Sequence, residues 1–300
     1  TVRDAGRTCG ETPGIGLAMT VLLADRMKAY EDISCAQHLI PNLPICIRVD
    51  GKAFHSWCKG LARPFDSGFR DVMDTVAAAL VELTNAVIGH THSDEISLVL
   101  WNRGNPQSDT YFHGRRDKLV SIIASAATWH FQQAAASLLP SCSGKMALFD
   151  GRAWNVPTPE EAVNYLLWRE QDATRNSISM AAQTFYSTKQ LLGRNGKEMQ
   201  EMLWQRGVNW HYYDARYKRG SYWKRVLVTR PFSTEELATL PPQHAAHATP
   251  GLMVQRHRMV RLDLPPLGSI TNRCGVLFEN EKPIVEGDDD RLLDISKQHI

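Results

Sequence analysis

The chain has 300 residues, 43% of them hydrophobic and 22% charged, a composition that suits a folded globular protein and excludes a disordered or fibrous one. A formal net charge of +2 excludes a molecule that grips nucleic acid by overall charge, so any RNA footprint must come from local clusters or from assembly. Six cysteines without C-x-x-C spacing (Cys9, Cys35, Cys46, Cys58, Cys142 and Cys274), together with no long apolar run, point to reduced thiols in a cytoplasmic protein away from the membrane.

In chain order, residues 1–17 carry four glycines and a proline and read as a flexible leader. A helix is expected over 22–39, ended by Pro41, Asn42 and Pro44, followed by a buried strand over 45–49 that stops at Asp50-Gly51. Asp66 can cap a second helix whose stripe is Phe69, Val72, Val76, Leu80 and Leu83. Two β-prone runs, 86–90 and 96–100, flank Thr91-His92-Ser93-Asp94-Glu95 and read as a hairpin. A long helix over 115–139 and a strand over 145–149 complete the series, before Asp150-Gly151-Arg152.

The order strand, helix, strand, strand, helix, strand is the ferredoxin-like βαββαβ arrangement used by polymerase palms. The expected fold is therefore α+β, an antiparallel sheet with helices on one face, spanning residues 18–156. A helical elaboration over 157–230 follows, opened by Thr158-Pro159-Glu160-Glu161, with further helices over 172–192 and 197–206. Residues 231–250 read as a loop, 254–279 as two strand-like stretches, and 286–290 as an acidic, solvated end.

In that topology the end of the first strand lies beside the hairpin turn, so Asp50 meets Asp94 and Glu95 at one sheet edge. Three unpaired acids there would repel one another, and a metal ion would keep them ionised. Hard Mg²⁺ takes oxygen ligands, and glycine lets its backbone carbonyl approach, so Asp50, Gly51 and Asp94 suit it; two such ions could activate an attacking oxygen and neutralise a pyrophosphate leaving group. Taken singly, Asp-Gly is only a turn and Ser-Asp-Glu only hairpin chemistry. Lys52 and the backbone through His55, with Arg63, Arg115 and Lys118, are cations expected around the acidic edge. His90 and His92 alternate with Asp94, but a zinc site lacks a third ligand at a recognisable spacing. No G-x-S-x-G, Walker A or dinucleotide-binding glycine signature occurs. The aromatic and basic run 204–224 either grips RNA or forms a packed amphipathic layer.

Ile47-Arg48-Val49-Asp50-Gly51-Lys52-Ala53-Phe54-His55, Ser93-Asp94-Glu95, residues 112–118, Phe149-Asp150-Gly151-Arg152 and residues 165–172 together resemble the tRNA(His) guanylyltransferase superfamily over residues 22–225. The resemblance implies metal ligation by Asp50, the Gly51 carbonyl and Asp94, with Glu95 in support. It implies nucleotide binding by Asp50, Gly51, Lys52, Ala53, Phe54, His55, Ser93 and Asp94, with Arg63, Arg115 and Lys118 as basic contacts. It also implies ATP or GTP as activating and incoming nucleotides, tRNA as substrate at its acceptor stem and 5′ end, and a homotetramer.

Where eukaryotic members carry His-Ile-Asn-Asn, this chain has Thr174-Arg175-Asn176-Ser177, which is similar to the bacterial and archaeal guanylyltransferase-like branch. The expectation is therefore template-dependent 3′–5′ nucleotide addition at the 5′ end of tRNA, that is, 5′-end repair. The alternatives are addition of one G to tRNA(His), a palm-type nucleotidyl cyclase, or a non-catalytic RNA-binding module.

Overall fold

The computed structural model describes residues 22–35, 37–103, 105, 110–142 and 144–286. The leader over 1–17 and most of the acidic end over 286–290 lie outside these residues. Helix α1 (Leu23–Cys35) belongs to a unit of its own, residues 1–36, and the sheet and all later helices belong to the second unit, which starts at Gln37. The expected helix over 22–39 is shorter than read. The N–H groups of Leu39 and Ile40 bond instead to the Gly114 carbonyl and Asn155 Oδ1, and Pro41 disfavours helix in the residue before it.

Strand β1 (Ile45–Gly51) is followed by the short helix α2 (Phe54–Trp57) and helix α3 (Ser67–Thr84). Asp66 caps α3 as expected, accepting from Phe69 N at 2.8 Å. Val72, Val76 and Leu80 are fully buried, but Leu83 faces solvent, so the stripe ends one turn early. Strands β2 (Ile88–His92) and β3 (Glu95–Leu100) run closer together than read, leaving a two-residue turn, Ser93-Asp94, with Ser93 at φ 52.

Helix α4 (Arg116–Leu138) leads to β4 (Phe149–Asn155), which corrects the strand expected over 145–149. Lys145 instead bonds the Trp57 and Lys59 carbonyls. Asp150-Gly151 looks like a turn in sequence but is strand here. The bare Gly151 lets α4 approach so closely that a Cβ would sit 2.9 Å from the Val120 carbonyl.

Beyond the palm, α5 (Pro159–Gln183) is one continuous helix capped by Thr158, where two had been read. Next come α6 (Thr188–Leu191), α7 (Gly196–Gln205), α8 (Ala215–Lys218), strand β5 (Ser221–Pro231), α9 (Thr234–Thr239), α10 (Ala245–Ala248), β6 (Met253–Leu262) and α11 (Arg273–Glu279). The expected loop over 231–250 thus holds two short helices, and the tail forms one strand and one helix. Strand β5 pairs with β2, which the sequence reading missed.

The sheet has six antiparallel strands in the order β4-β1-β3-β2-β5-β6, and its first four are the expected palm. Strand alternation sends Ile45, Ile47, Val49, Ile96 and Leu98 to one face, under α3 and α4. Cys46, Ile88 and Val99 go to the other face, under α5 and α11 of the C-terminal elaboration.

Candidate active site

Directly paired residues of antiparallel strands share a face, so the register stacks side chains into rows across the α5-covered face. Trp154, Cys46, Val99 and Ile88 make an apolar row. The next row is Arg152, Arg48, Ser97 and His90, and the row at the sheet end is Asp150, Asp50, Glu95 and His92. Carboxylates from three strands therefore meet at one edge, with Asp94 at the adjoining turn, where its carbonyl accepts from Gly51 N at 3.1 Å. The expected convergence of Asp50, Asp94 and Glu95 is present.

These acids are not alike. Glu95 is gripped by Arg169 of α5, with Oε1 at 2.6 Å from Nε and Oε2 at 2.8 Å from Nη2, and by Arg48 Nη2 at 2.8 Å. Burial raises its carboxyl above the usual range, while Arg169 and then Arg48 pull it back. Two guanidiniums at hydrogen-bond distance favour its ionised form. This corrects the expectation of three unpaired acids: Glu95 has no free oxygen for an ion and works by holding the edge together. Arg169 also bonds Asp172, at 2.8 Å, and Asp172 bonds Arg175 at 2.7 Å.

Among the described residues Asp94 has no cationic partner. Burial raises its carboxyl above the usual range, and the negative charges of Asp50 and Glu95 add to the shift; only local hydrogen bonds, including that from Ser93 Oγ at 3.0 Å, oppose it. Asp50 lies 3.6 Å from Arg48, a loose pairing. Two half-shielded carboxylates without enough positive charge suit a hard divalent cation. Among the described residues no three His, Cys, Asp or Glu side chains form a ready-made metal cage. An ion here would therefore rest on Asp50, Asp94, backbone oxygen and substrate phosphate.

Gly51 is required for packing: a Cβ there would collide with the Phe54 ring. That ring is buried against Trp57, Phe69, Phe131 and Phe149, so Phe54, expected at the nucleotide, offers only its backbone. Ala53, at φ 58, turns the chain from β1 into α2, leaving Lys52 and His55 exposed. His55, Arg63 and Ser93 line a cleft of about 210 Å³ beside the acidic edge, together with Arg70, His92 and Arg216. Phe65 and Tyr217 stack in its wall with centroids 5.0 Å apart. Cys58 also lines it, and burial pushes that thiol up to about 12, which rules out a thiolate nucleophile.

Arg115 and Lys118 do not join this cluster. Arg115 bridges to His38 in the segment that leads into β1, and Lys118 lies over the Phe112 ring.

The histidines are structural. His90 Nε2 lies 2.7 Å from the Arg219 carbonyl, and burial lowers His90 to about 4 and His92 to about 3. Most aromatics of the 204–224 run are packed: Trp210 bonds Ser177, Tyr222 bonds Glu170 and Trp223 bonds Asp74. Sequence reasoning missed Arg48, Asp150 and Arg169. Period two alone places Arg48 on the same face as Asp50, whereas Asp150 was hidden by the misplaced fourth strand and Arg169 by its distance in the chain.

The family profile described as tRNAHis guanylyltransferase matches residues 24–157. The tRNA(His) guanylyltransferase of Schizosaccharomyces pombe is 31% identical over 234 residues, covering 70% of this chain and 83% of the relative. The chain belongs to the tRNA(His) guanylyltransferase family. It is accordingly a nucleotidyltransferase. A bacterial tRNA(His) guanylyltransferase-like protein solved in complex with ATP superposes with a TM-score of 0.64 at 36% identity, covering 68% of this chain and 86% of that one. One solved in complex with GTP gives 0.64 at 29% identity over 82% and 93%. In this family member no described helix is long and apolar enough to cross a membrane.

Proposed function

We propose that this guanylyltransferase-family enzyme adds nucleotides to the activated 5′ end of tRNA in the 3′–5′ direction, selecting each by pairing with the opposite acceptor strand. The observation that carries this is Asp50 and the unpaired Asp94 side by side at a palm edge, next to a cleft lined by Arg63, His55 and Ser93. Mg²⁺, when bound by Asp50, Asp94 and the Gly51 carbonyl, would neutralise phosphate charge; the family chemistry suits two such ions.

Arg63 and the backbone from Lys52 to His55 hold the triphosphate of ATP or GTP, and Ser93 fixes the Asp94 carboxylate. The 3′ hydroxyl of the incoming nucleotide forms a bond to the activated 5′ phosphorus of the RNA, and the bond to the activating group breaks. Glu95, held by Arg169 and Arg48, keeps the edge in register. Arg115 and Lys118, which do not line the cleft, are left to contact phosphate outside it. The resemblance adds a homotetramer.

A second reading, addition of one G to tRNA(His), has at least equal support, because fungal relatives carry that activity in their names. Residues 172–177, which differ from the eukaryotic motif, favour the first reading. The test supplies 5′-truncated tRNA and intact tRNA(His) in parallel with Mg²⁺ and each nucleotide, then sequences the products. Templated extension of the truncated tRNA supports repair. Preference for intact tRNA(His) overturns it.

A further inference from the structure

Helix α5 crosses the acidic edge and presents a half-exposed indole beside it. Tyr165 packs on Trp154, with ring centroids 5.1 Å apart, and donates its hydroxyl to the Ile47 carbonyl at 3.0 Å. One turn later Arg169 grips Glu95. Between them Trp168 stands 49% exposed, with the Arg169 guanidinium 4.4 Å from its ring centroid. The indole is thus fixed in place one guanidinium layer from Glu95, itself the ladder partner of Asp50. Other exposed aromatics such as Trp129, Trp204 and Tyr212 have no such tie to the acidic edge.

We propose that Trp168 is the stacking platform for the terminal nucleobase of the RNA end on which the enzyme acts. The inference rests on the function proposed above and names where its nucleic-acid substrate sits. A flat apolar ring flanked by cations matches a base flanked by phosphates. The flanking cations are Arg169, the exposed Arg175 that meets it through Asp172, and the exposed Arg152 on β4 beside Arg48.

Position selects RNA rather than free nucleotide as the occupant. Helix α5 bonds β1 through Tyr165, reaches the acids with Arg169, and lines the His55 and Arg63 cleft only with Met180 and Gln183, some three turns past Trp168. The indole therefore lies beside the acids but outside the cleft. A nucleotide held in the cleft and a base stacked on Trp168 would meet across Asp50 and Asp94.

The test uses the full chain and a 5′-truncated tRNA transcript with 2-aminopurine as its 5′-terminal base, whose fluorescence is quenched by stacking. Wild-type protein is expected to quench it. Trp168→Leu should abolish quenching and raise KM for RNA roughly tenfold, in line with the loss of one base–aromatic stack, with GTP affinity unchanged. Trp168→Phe should restore both. Unchanged quenching and KM in Trp168→Leu would overturn the proposal. So would equal losses of RNA and GTP binding, which mark a prop for Arg169, or a smaller oligomer, which marks a subunit contact. Wild-type protein that quenches the probe yet extends no 5′ end would contradict the function reading while supporting the stack.

Discussion

Asp50 faces Glu95 directly across the β1–β3 ladder, yet only Glu95 is neutralised, by Arg169 at 2.6 Å and Arg48 at 2.8 Å. The asymmetry divides the acids by role. The tightly paired carboxylate holds the sheet edge to α5, and Asp50, only loosely paired with Arg48, and Asp94 are left for a cation.

Replacing Asp94 by Asn should abolish nucleotide addition and also make the protein more heat-stable in the absence of metal. The folded carboxyl titrates above its unfolded value, so the folded state binds the extra proton, and stability falls as pH rises through that window. The gain should appear at neutral pH and vanish in acid. Thermal melts at both pH values check this, and a variant less stable at neutral pH would contradict it.

Arg169→Ala should cost roughly 3–5 kcal/mol of stability, because it strips one partner from a largely buried carboxylate. Combining Arg169→Met with Glu95→Gln should recover part of the loss, since the buried carboxylate is removed and Arg48 keeps only its 3.6 Å contact with Asp50. Urea denaturation of the three proteins measures this. A full loss that persists in the double variant would mean that the edge depends on something other than this ion pair.

Acid should weaken the fold through His90 and His92. Both are buried and neutral, held at about 4 and about 3, so below about pH 6.5 the unfolded chain takes up protons that the folded one refuses. Their contribution is present above that pH and is lost as pH falls, by on the order of a few kcal/mol down to pH 4. Melting temperature against pH should show this slope, flattened in His92→Gln. An unaltered slope assigns acid sensitivity to other groups.

Arg63→Ala should weaken nucleotide affinity by roughly 1–3 kcal/mol, the range for a lost charge-assisted hydrogen bond, and leave stability nearly unchanged because the side chain is exposed. Lys118→Ala should change nucleotide affinity less, since Lys118 sits over Phe112 away from the cleft. Calorimetric titration with GTP compares them, and equal losses would mean that both cations reach one nucleotide.

The palm and its acids were legible because local signals agreed with the fold: Asp66 as a cap, the apolar run into β1, and the short hairpin. Local patterns failed where a distant neighbour decided the outcome. Gly151 looks like a turn until α4 is packed against it. Tyr222 and Trp223 could not be read as a fifth strand without the edge of β2.

The most direct measurement is Mn²⁺ binding by electron paramagnetic resonance, with Mn²⁺ standing in for Mg²⁺, in the presence of a non-hydrolysable GTP analogue. Wild-type protein should bind the ion tightly, and Asp50→Asn and Asp94→Asn should each lose tight binding and nucleotide addition together. If either variant holds Mn²⁺ as firmly as wild type, Asp50 and Asp94 do not share an ion and the account is contradicted.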